Sequence, residues 1–451
     1  MKEARLILRH AGTVLVGQLA VIAFGVADTV IAGRYSDTAL AALSVGSAIY
    51  ISVYVGLIGV IQALLPIWAQ MRGARQFHAV GQSVRQSLYL CALLGAAGMA
   101  VLLFPGRLLQ WAEIPEAMQG EVRAYLAVLA LAFVPSLLFR LFSTLNQALG
   151  KPVLITWLQI GALAVKIPLS IWFVAGGAGL APQGAVGCAW ATLLVNYLLL
   201  LMAVLLLRSN SIYWPYQIWA RLQKPDWRQI AGFLRMGLPA GLSYMVEVTS
   251  LTLMALFIAR LGIVAAASHQ IAANLAALLY MVPLSLAIAS SARVSYWIGA
   301  GEPAKARRIV GVALALSALS ASVLALLLWL LSQQIPSWYS RNPDVVLTAA
   351  SLLVWVALYH VADSLQAVCA FMLRCYRITL TPLVIYGVLL WGLGLAGGYF
   401  LAYVGYAAMP AAPMPGSFWS AATLALGAVA LSFLWLLKRA VYRPSLTTPT
   451  P

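Results

Sequence analysis

Apolar side chains run almost without interruption along this 451-residue chain, in stretches separated by short clusters of charged or turn-forming residues. Segments such as Leu193–Leu207 and Ala421–Leu437 show neither the alternation of a half-buried strand nor the single apolar stripe of a soluble amphipathic helix. About 20 helical residues cross a bilayer core of about 30 Å. That length picks out twelve spans, near 12–33, 41–69, 84–106, 122–147, 153–175, 184–207, 230–259, 265–297, 308–331, 345–372, 379–404 and 417–437. The breaks fall at stretches such as GRYSDT, RGARQFH, GKP, GGAGLAPQG and SRNPD, where glycine, proline and charge interrupt the helical pattern. The pattern therefore predicts an all-α polytopic membrane protein of twelve transmembrane helices.

Composition agrees with the pattern. Hydrophobic residues make up 63% of the chain and charged residues 9%, whereas soluble domains carry about 25% charged residues. A soluble enzyme and a disordered chain are both excluded on this ground. The net charge of +17 would suit a nucleic-acid partner, but its placement explains it otherwise. The two termini and every second loop hold 21 of the 28 Lys and Arg residues. The opposite loops hold five (Arg34, Arg107, Arg123, Arg260 and Arg341), and Arg140 and Lys166 lie inside spans. The positive-inside rule then puts both termini in the cytoplasm, with no nucleic acid required. The N-terminus runs directly into an apolar segment with no small-residue cleavage site, so it reads as an uncleaved first span. Cys91, Cys188, Cys369 and Cys375 have neither the spacing of a zinc site nor that of a disulfide framework.

The longest loop, about 208–229, divides the spans six and six. An even number in each half gives both halves the same orientation, as a parallel repeat requires. An echo at an offset of 226 pairs Arg34 with Arg260, Ala39 with Ala265, Ala41 with Ala267, and Gly73-Ala74 with Gly299-Ala300. The expected organisation is an N-terminal lobe over 1–208, an inter-lobe linker over 209–229, a C-terminal lobe over 230–440 and a cytoplasmic tail over 441–451: two pseudo-symmetric six-helix lobes.

Eight acids (Glu3, Asp37, Glu113, Glu116, Glu121, Asp226, Glu302 and Asp344) sit in loops or tails, while Asp28, Glu247 and Asp363 sit inside spans. A buried acid costs about 2.5–3.5 kcal/mol on insertion scales, so such residues face an interior cavity and carry function, or tie two helices together. Ser243, Glu247 and Ser250 share one face of the seventh span, and Tyr359, Asp363 and Gln366 share one face of the tenth. Two carboxylates on facing helices can hold one cation or one proton, and exchange between the two is the chemistry of an antiporter. In the first half, Lys166 and Ser170 flank Pro168 on the fifth span, and Lys166 is a candidate ion-pair partner for Asp28. His360, three residues before Asp363, fits a packed helix contact better than a proton relay. Tyr280, beside Pro283, offers a ring face to a cation. No Walker loop, nucleophile elbow or dinucleotide fingerprint occurs, so the chain is expected to be neither an enzyme nor an ATPase, to need no cofactor, and to draw on an ion gradient.

Several segments together resemble the multidrug and toxic compound extrusion (MATE) family in its NorM-like branch. They are VADTVIAGR (Val26–Arg34) followed by ALAALSVG, LLPIWAQMRGAR (Leu64–Arg75) followed by VRQS, NQALGKP (Asn146–Pro152), KIPLS (Lys166–Ser170), QGAVGCAWAT (Gln183–Thr192) and MLRCYRITLTP (Met372–Pro382). The resemblance implies two six-helix lobes around a cleft in a bacterial inner membrane, and export of lipophilic, often cationic compounds in exchange for Na⁺ or H⁺ by a monomer. It implies cation coupling at Glu247, Asp363 and Tyr280, and substrate binding at Asp28, Gln270, Tyr280 and Asp363. Two departures stand out. Many relatives have N-I-P-L-N where this chain has Lys166 and Ser170 in place of the two asparagines, which makes those residues modulators of an N-lobe site. The glycine usual after L-R is Cys375 here. The competing readings are a lipid-linked precursor flippase of the same superfamily, expected to have a basic cavity, and an integral-membrane transferase, expected to place its acids at the membrane interface.

Overall fold

The computed structural model describes residues 2–111, 115–177, 179, 181–405 and 410–442. Glu113 and the tail from 443 onward lie outside the described residues. Among the described residues, twelve helices are long and apolar enough to cross a membrane: α1 Glu3–Tyr35, α2 Asp37–Gly73, α3 Phe77–Leu103, α4 Met118–Ala148, α5 Pro152–Ala175, α6 Ala185–Ser209, α7 Trp227–Ala259, α8 Ile263–Gly299, α9 Pro303–Leu330, α10 Pro343–Cys375, α11 Leu380–Val404 and α12 Pro415–Tyr442. No strand occurs among the described residues. Large apolar side chains such as Leu256, Leu319, Val388 and Leu431 are exposed along the helices. A surface of that kind is stable only against lipid.

Most helices run several residues beyond the apolar windows, because their ends reach out of the hydrocarbon and their last backbone groups are satisfied by local caps. Ser36 caps α2 through its Oγ, which accepts from Ala39 N at 3.1 Å. Asn342 caps α10 through Oδ1, which accepts from Asp344 N at 2.9 Å, with Pro343 in the first turn. Two features depart from the expected straight spans. α2 breaks at Ala63, where Pro66 can neither donate to the carbonyl of Gln62 nor avoid crowding it. α11 widens into π-helix over Gly387–Ala396 and again over Phe400–Val404, a rare form that is frequent at functional sites.

The residue starts repeat the offset seen in the sequence. α2 and α8 begin at 37 and 263, and α3 and α9 at 77 and 303, each 226 apart. The chain divides into two compact units. The N unit comprises Thr13–Gly241 with Gly299–Gly301; the C unit comprises Met1–Gly12, Leu242–Ile298 and Glu302 onward. Within the N unit α4 is central, packing on α2, α3 and α6, and within the C unit its counterpart α10 packs on α9 and α12. The first turn of α1 is fastened inside the C unit, where Arg293 on α8 grips both carboxylate oxygens of Glu3 at 2.7 and 2.9 Å.

The segment between α6 and α7 is a strap rather than a free tether. Arg85 Nη1 donates to the carbonyl of Gln217 at 2.6 Å, the Gln86 side chain donates to the Lys224 carbonyl and accepts from Asp226 N, and Tyr89 OH donates to the Gln223 carbonyl. Tyr213 OH donates to Asn146 Oδ1 at 2.7 Å.

Small residues set the helix spacing, as expected where lipid removes the hydrophobic drive between helices. Gly187 on α6 lies against the α5 backbone, and a Cβ there would stand 2.6 Å from Phe173 C and Val174 N. Gly187→Val is therefore expected to force α6 away from α5. Overpacking of this kind costs about 1–3 kcal/mol, to be read as a lowered melting temperature of the detergent-solubilised protein; a wild-type melting curve would contradict the close approach.

Candidate functional site

Both sets of membrane-embedded acids acquire partners, in different ways. In the C unit, α7 carries Ser243, Tyr244, Glu247 and Ser250 on one face, because spacings of three and four residues stack side chains along a helix. α10 presents Tyr359, Asp363 and Gln366, all buried. Gln366 joins the two helices: its Nε2 donates to Asp363 Oδ1 at 2.9 Å and to Glu247 Oε1 at 3.3 Å. Its Oε1 accepts from the hydroxyl of Tyr386 on α11. One fully buried amide thus holds α7, α10 and α11 at a single point.

Tyr280 on α8 stands within electrostatic reach of Glu247, Asp363, Tyr244 and Tyr386. Arg374, in the last turn of α10, acts electrostatically on Glu247. Its guanidinium lies over the rings of Tyr244 and Phe371, at 4.9 and 4.5 Å, and Nη1 donates to Tyr244 OH at 3.4 Å. Glu247 opens onto a small cavity lined also by Ser250, Tyr359, Leu390 and Gly394; the last two belong to the π-helical stretch of α11. Two negative charges this close in a low-dielectric interior repel strongly, and one proton or monovalent cation between them removes the repulsion. The site offers oxygen ligands from two carboxylates, an amide and hydroxyls, a hard donor set suited to such an ion.

In the N unit the acid is matched by a cation of the protein's own. Lys166 Nζ lies 2.8 Å from Asp28 Oδ2 and donates to Thr192 Oγ1 at 2.6 Å. Ser170 Oγ donates to Asp28 Oδ1 at 3.1 Å. Thr192 is itself oriented by donation to the Cys188 carbonyl one turn back, at 2.9 Å. Lys166 and Ser170 face α1 and α6 together because they are one turn apart on α5, around Pro168. The ammonium stands where an external cation would have to bind.

The structure therefore brings Glu247, Asp363 and Gln366 together, with Tyr280 beside them, and brings Asp28, Lys166 and Ser170 together separately. Gln270 is apart from both hydrogen-bonded clusters: it is exposed, and its amide donates to Asn274 Oδ1 at 3.0 Å. His360 is buried with neither ring nitrogen hydrogen-bonded, while its neighbour Ser364 bonds to Ser317 on α9. Four further participants went unread in the sequence: Tyr244, Thr192, Tyr386 and Arg374. Tyr244 and Thr192 had a signal, since Tyr244 stands three residues before Glu247 and Thr192 is a polar residue on an apolar helix. Tyr386 looked like any core or belt aromatic, and Arg374 like one more loop charge. No group of three His, Cys, Asp or Glu side chains gathers among the described residues.

Comparison with known proteins follows the same lines. The sequence model of the MatE family matches residues 14–172 and 239–400. A probable multidrug resistance protein NorM from Aromatoleum aromaticum is 38% identical over 438 residues, covering 97% of this chain and 94% of that protein. The multidrug resistance protein PmpM from Pseudomonas aeruginosa is 33% identical, covering 98% and 92%. These relatives are named for drug resistance rather than for an enzymatic reaction. The crystal structure of the Vibrio cholerae MATE transporter VcmN in its bent form superposes with a TM-score of 0.84 at 16% identity, covering 98% of this chain and 97% of that one, which is agreement of fold. With the family match extending over most of the chain and the relatives over nearly all of it, this protein belongs to the MatE family.

Proposed function

We propose that this protein is a secondary active multidrug efflux antiporter of the inner membrane, acting as a monomer and exporting lipophilic, often cationic compounds in exchange for Na⁺ or H⁺. The observation that carries the reading is the pair of buried carboxylates, Glu247 and Asp363, sharing the Gln366 amide beside a cavity within the C unit. The names of the relatives support it, as does the run of basic residues at the termini and alternate loops, which supports cytoplasmic termini. The coupling ion binds between the two carboxylates, with Tyr280 and Tyr386 as hydroxyl neighbours. A cationic substrate presented to the same acids displaces it, because the cluster accommodates one added positive charge and not two. Tyr280 also supplies a ring face for an organic cation.

The energy available depends on the exchange ratio. A tenfold ion gradient is worth about 1.4 kcal/mol and one charge crossing 100 mV about 2.3 kcal/mol. One ion against one neutral drug draws on both, whereas one ion against a monovalent cationic drug draws only on the gradient.

In the N unit, Lys166 acts as a fixed counter-ion for Asp28, so this reading assigns coupling to the C unit. The deep acids also weigh against the flippase alternative, for which a basic cavity is expected.

Two outcomes follow. Glu247→Gln and Asp363→Asn are each expected to reduce dye transport into proteoliposomes to the level of protein-free vesicles while leaving the protein's elution profile unchanged. Imposing a Na⁺ gradient or a pH gradient separately identifies the coupling ion, and full transport by both variants would overturn the proposal. For the N unit, Lys166→Met alone is expected to cost about 3–5 kcal/mol, the penalty of stranding one member of a buried pair. Combining it with Asp28→Asn should recover a large part of that loss, as read from the melting temperatures of the two single variants and the double; strictly additive losses would show that the pair is not coupled.

A further inference from the structure

The C unit carries a group of basic residues that no acid answers. The first turns of α9 hold Lys305, Arg307 and Arg308, and the last turns of α12 hold Lys438 and Arg439, all exposed. Lys305 pairs with Glu302, and the other four join no ion pair among the described residues. Two contacts bring the helix ends together: Arg307 Cζ lies 4.4 Å from the centre of the Tyr442 ring, and its Nη2 donates to the Val441 carbonyl at 3.4 Å. Arg439 folds back along α12, its Cζ 3.8 Å from the centre of the Trp435 ring. A ring face offers no lone pair, so the guanidinium donors of Arg439 are left for another acceptor.

An apolar stripe leads up to these charges. Leu424, Leu431, Trp435, Arg439 and Tyr442 follow one another at helical spacing, so they share one face of α12. Leu424, Leu431, Trp435 and Tyr442 are each more than half exposed. The stripe passes from aliphatic side chains to an indole and then to a guanidinium, the order in which a phospholipid passes from acyl chain to interface to phosphate.

The repeat shows what the same position holds in the other unit. At the 226-residue offset, Arg307 and Tyr442 correspond to Gly81 and Tyr216. In the N unit the Tyr216 carbonyl presses on Gly81, and the strap continues over α3, held by Arg85, Gln86 and Tyr89. Their counterparts on α9 are Gly311, Val312 and Ala315, which have no polar side chain to hold a chain segment. Gly311 is exposed, and a Cβ there would meet no described atom within 4 Å.

We propose that the last turns of α12, with Arg307 from α9, bind an anionic phospholipid, its phosphate between Arg307 and Arg439 and an acyl chain along Leu431 and Leu424. Guanidinium forks take phosphate oxygens in pairs, and the uncompensated charges around them disfavour a headgroup that carries its own cation. Basic residues at this face of a membrane protein are general. What distinguishes this pair is that each arginine is laid on an aromatic ring at the head of one apolar stripe. The stripe is also what selects a lipid over free phosphate. The site stands apart from the acid cluster and does not depend on the efflux reading.

The test is native mass spectrometry of the delipidated full-length protein, titrated with phosphatidylglycerol or with phosphatidylcholine of the same acyl chains. The wild type is expected to prefer phosphatidylglycerol; equal binding of both lipids overturns the proposal. Arg307→Gln/Arg439→Gln is expected to lose at least about tenfold in affinity for phosphatidylglycerol, whereas Arg221→Gln/Lys224→Gln, which removes two exposed charges from the strap, loses less than about twofold. Equal losses would assign the attraction to the basic face at large and overturn the site, as would no loss in the first variant. Inorganic phosphate in large excess is expected not to displace the lipid; displacement would make this a soluble-anion site and overturn the choice of ligand. A peptide of residues 443–451 is expected not to compete either, and competition would seat the chain's own tail there instead. If Arg307→Gln/Arg439→Gln does not accumulate, Trp435→Ala keeps both charges and removes the ring, and a loss of about threefold for phosphatidylglycerol is expected; no loss overturns the proposal.

Discussion

Inside a bilayer no water is at hand to solvate an ionised side chain, so the protein must provide the partner itself. This chain meets that demand in three ways. In the N unit an acid is neutralised by a lysine, with hydroxyls of Ser170 and Thr192 using up the remaining hydrogen-bonding capacity. In the C unit two acids share the hydrogens of one glutamine and have no lysine of their own. At Arg140 a cation faces glutamines and no acid. The first arrangement is electrically complete; the second, with Arg374 acting on Glu247, has two acids to one cation; the third has a cation that joins no ion pair among the described residues.

The packing keeps these arrangements in place. α5 and α6 must approach closely for Lys166 to reach both Asp28 and Thr192, and Gly187 permits that approach. In the C unit the widened helix of α11 brings Leu390 and Gly394 to the cavity beside Glu247. Gly398, further along α11, lies flat against Phe418 of α12, where a Cβ would meet the ring at 2.8 Å. The counterpart positions of α4 and α10 under the 226-residue repeat put a central helix in each unit, and each central helix carries charge: Arg140 on one and Asp363 on the other.

Much of this was legible in the sequence because membranes make sequences easy to read at the coarse level. Twelve spans, the repeat and the three isolated acids follow from hydropathy and from the rarity of charge. The facing stripes on α7 and α10 were legible too, since a polar residue in such a helix has few places to go. What escaped reading shares a different cause. Tyr386 and Arg374 are residue types common in belts and loops, and only their neighbours in space distinguish them. The break at Ala63 and the π stretches of α11 depend on backbone hydrogen bonds that side-chain periodicity does not report. Gln270, expected at the C-lobe site by resemblance, is occupied with Asn274 on its own helix.

The strap between α6 and α7 is held mainly through its carbonyl groups, at Gln217, Gln223 and Lys224, by side chains that belong to α3. A main-chain acceptor is the same whatever residue bears it. At those three positions the strap can therefore drift in composition while its path stays fixed, and part of the information that specifies its course is stored one helix away, in Arg85, Gln86 and Tyr89, beside the anchor that its own Tyr213 makes on Asn146. It falls within the interval between the two segments that the family model matches. Altering those three residues of α3 is thus a way to move this segment without changing its own sequence.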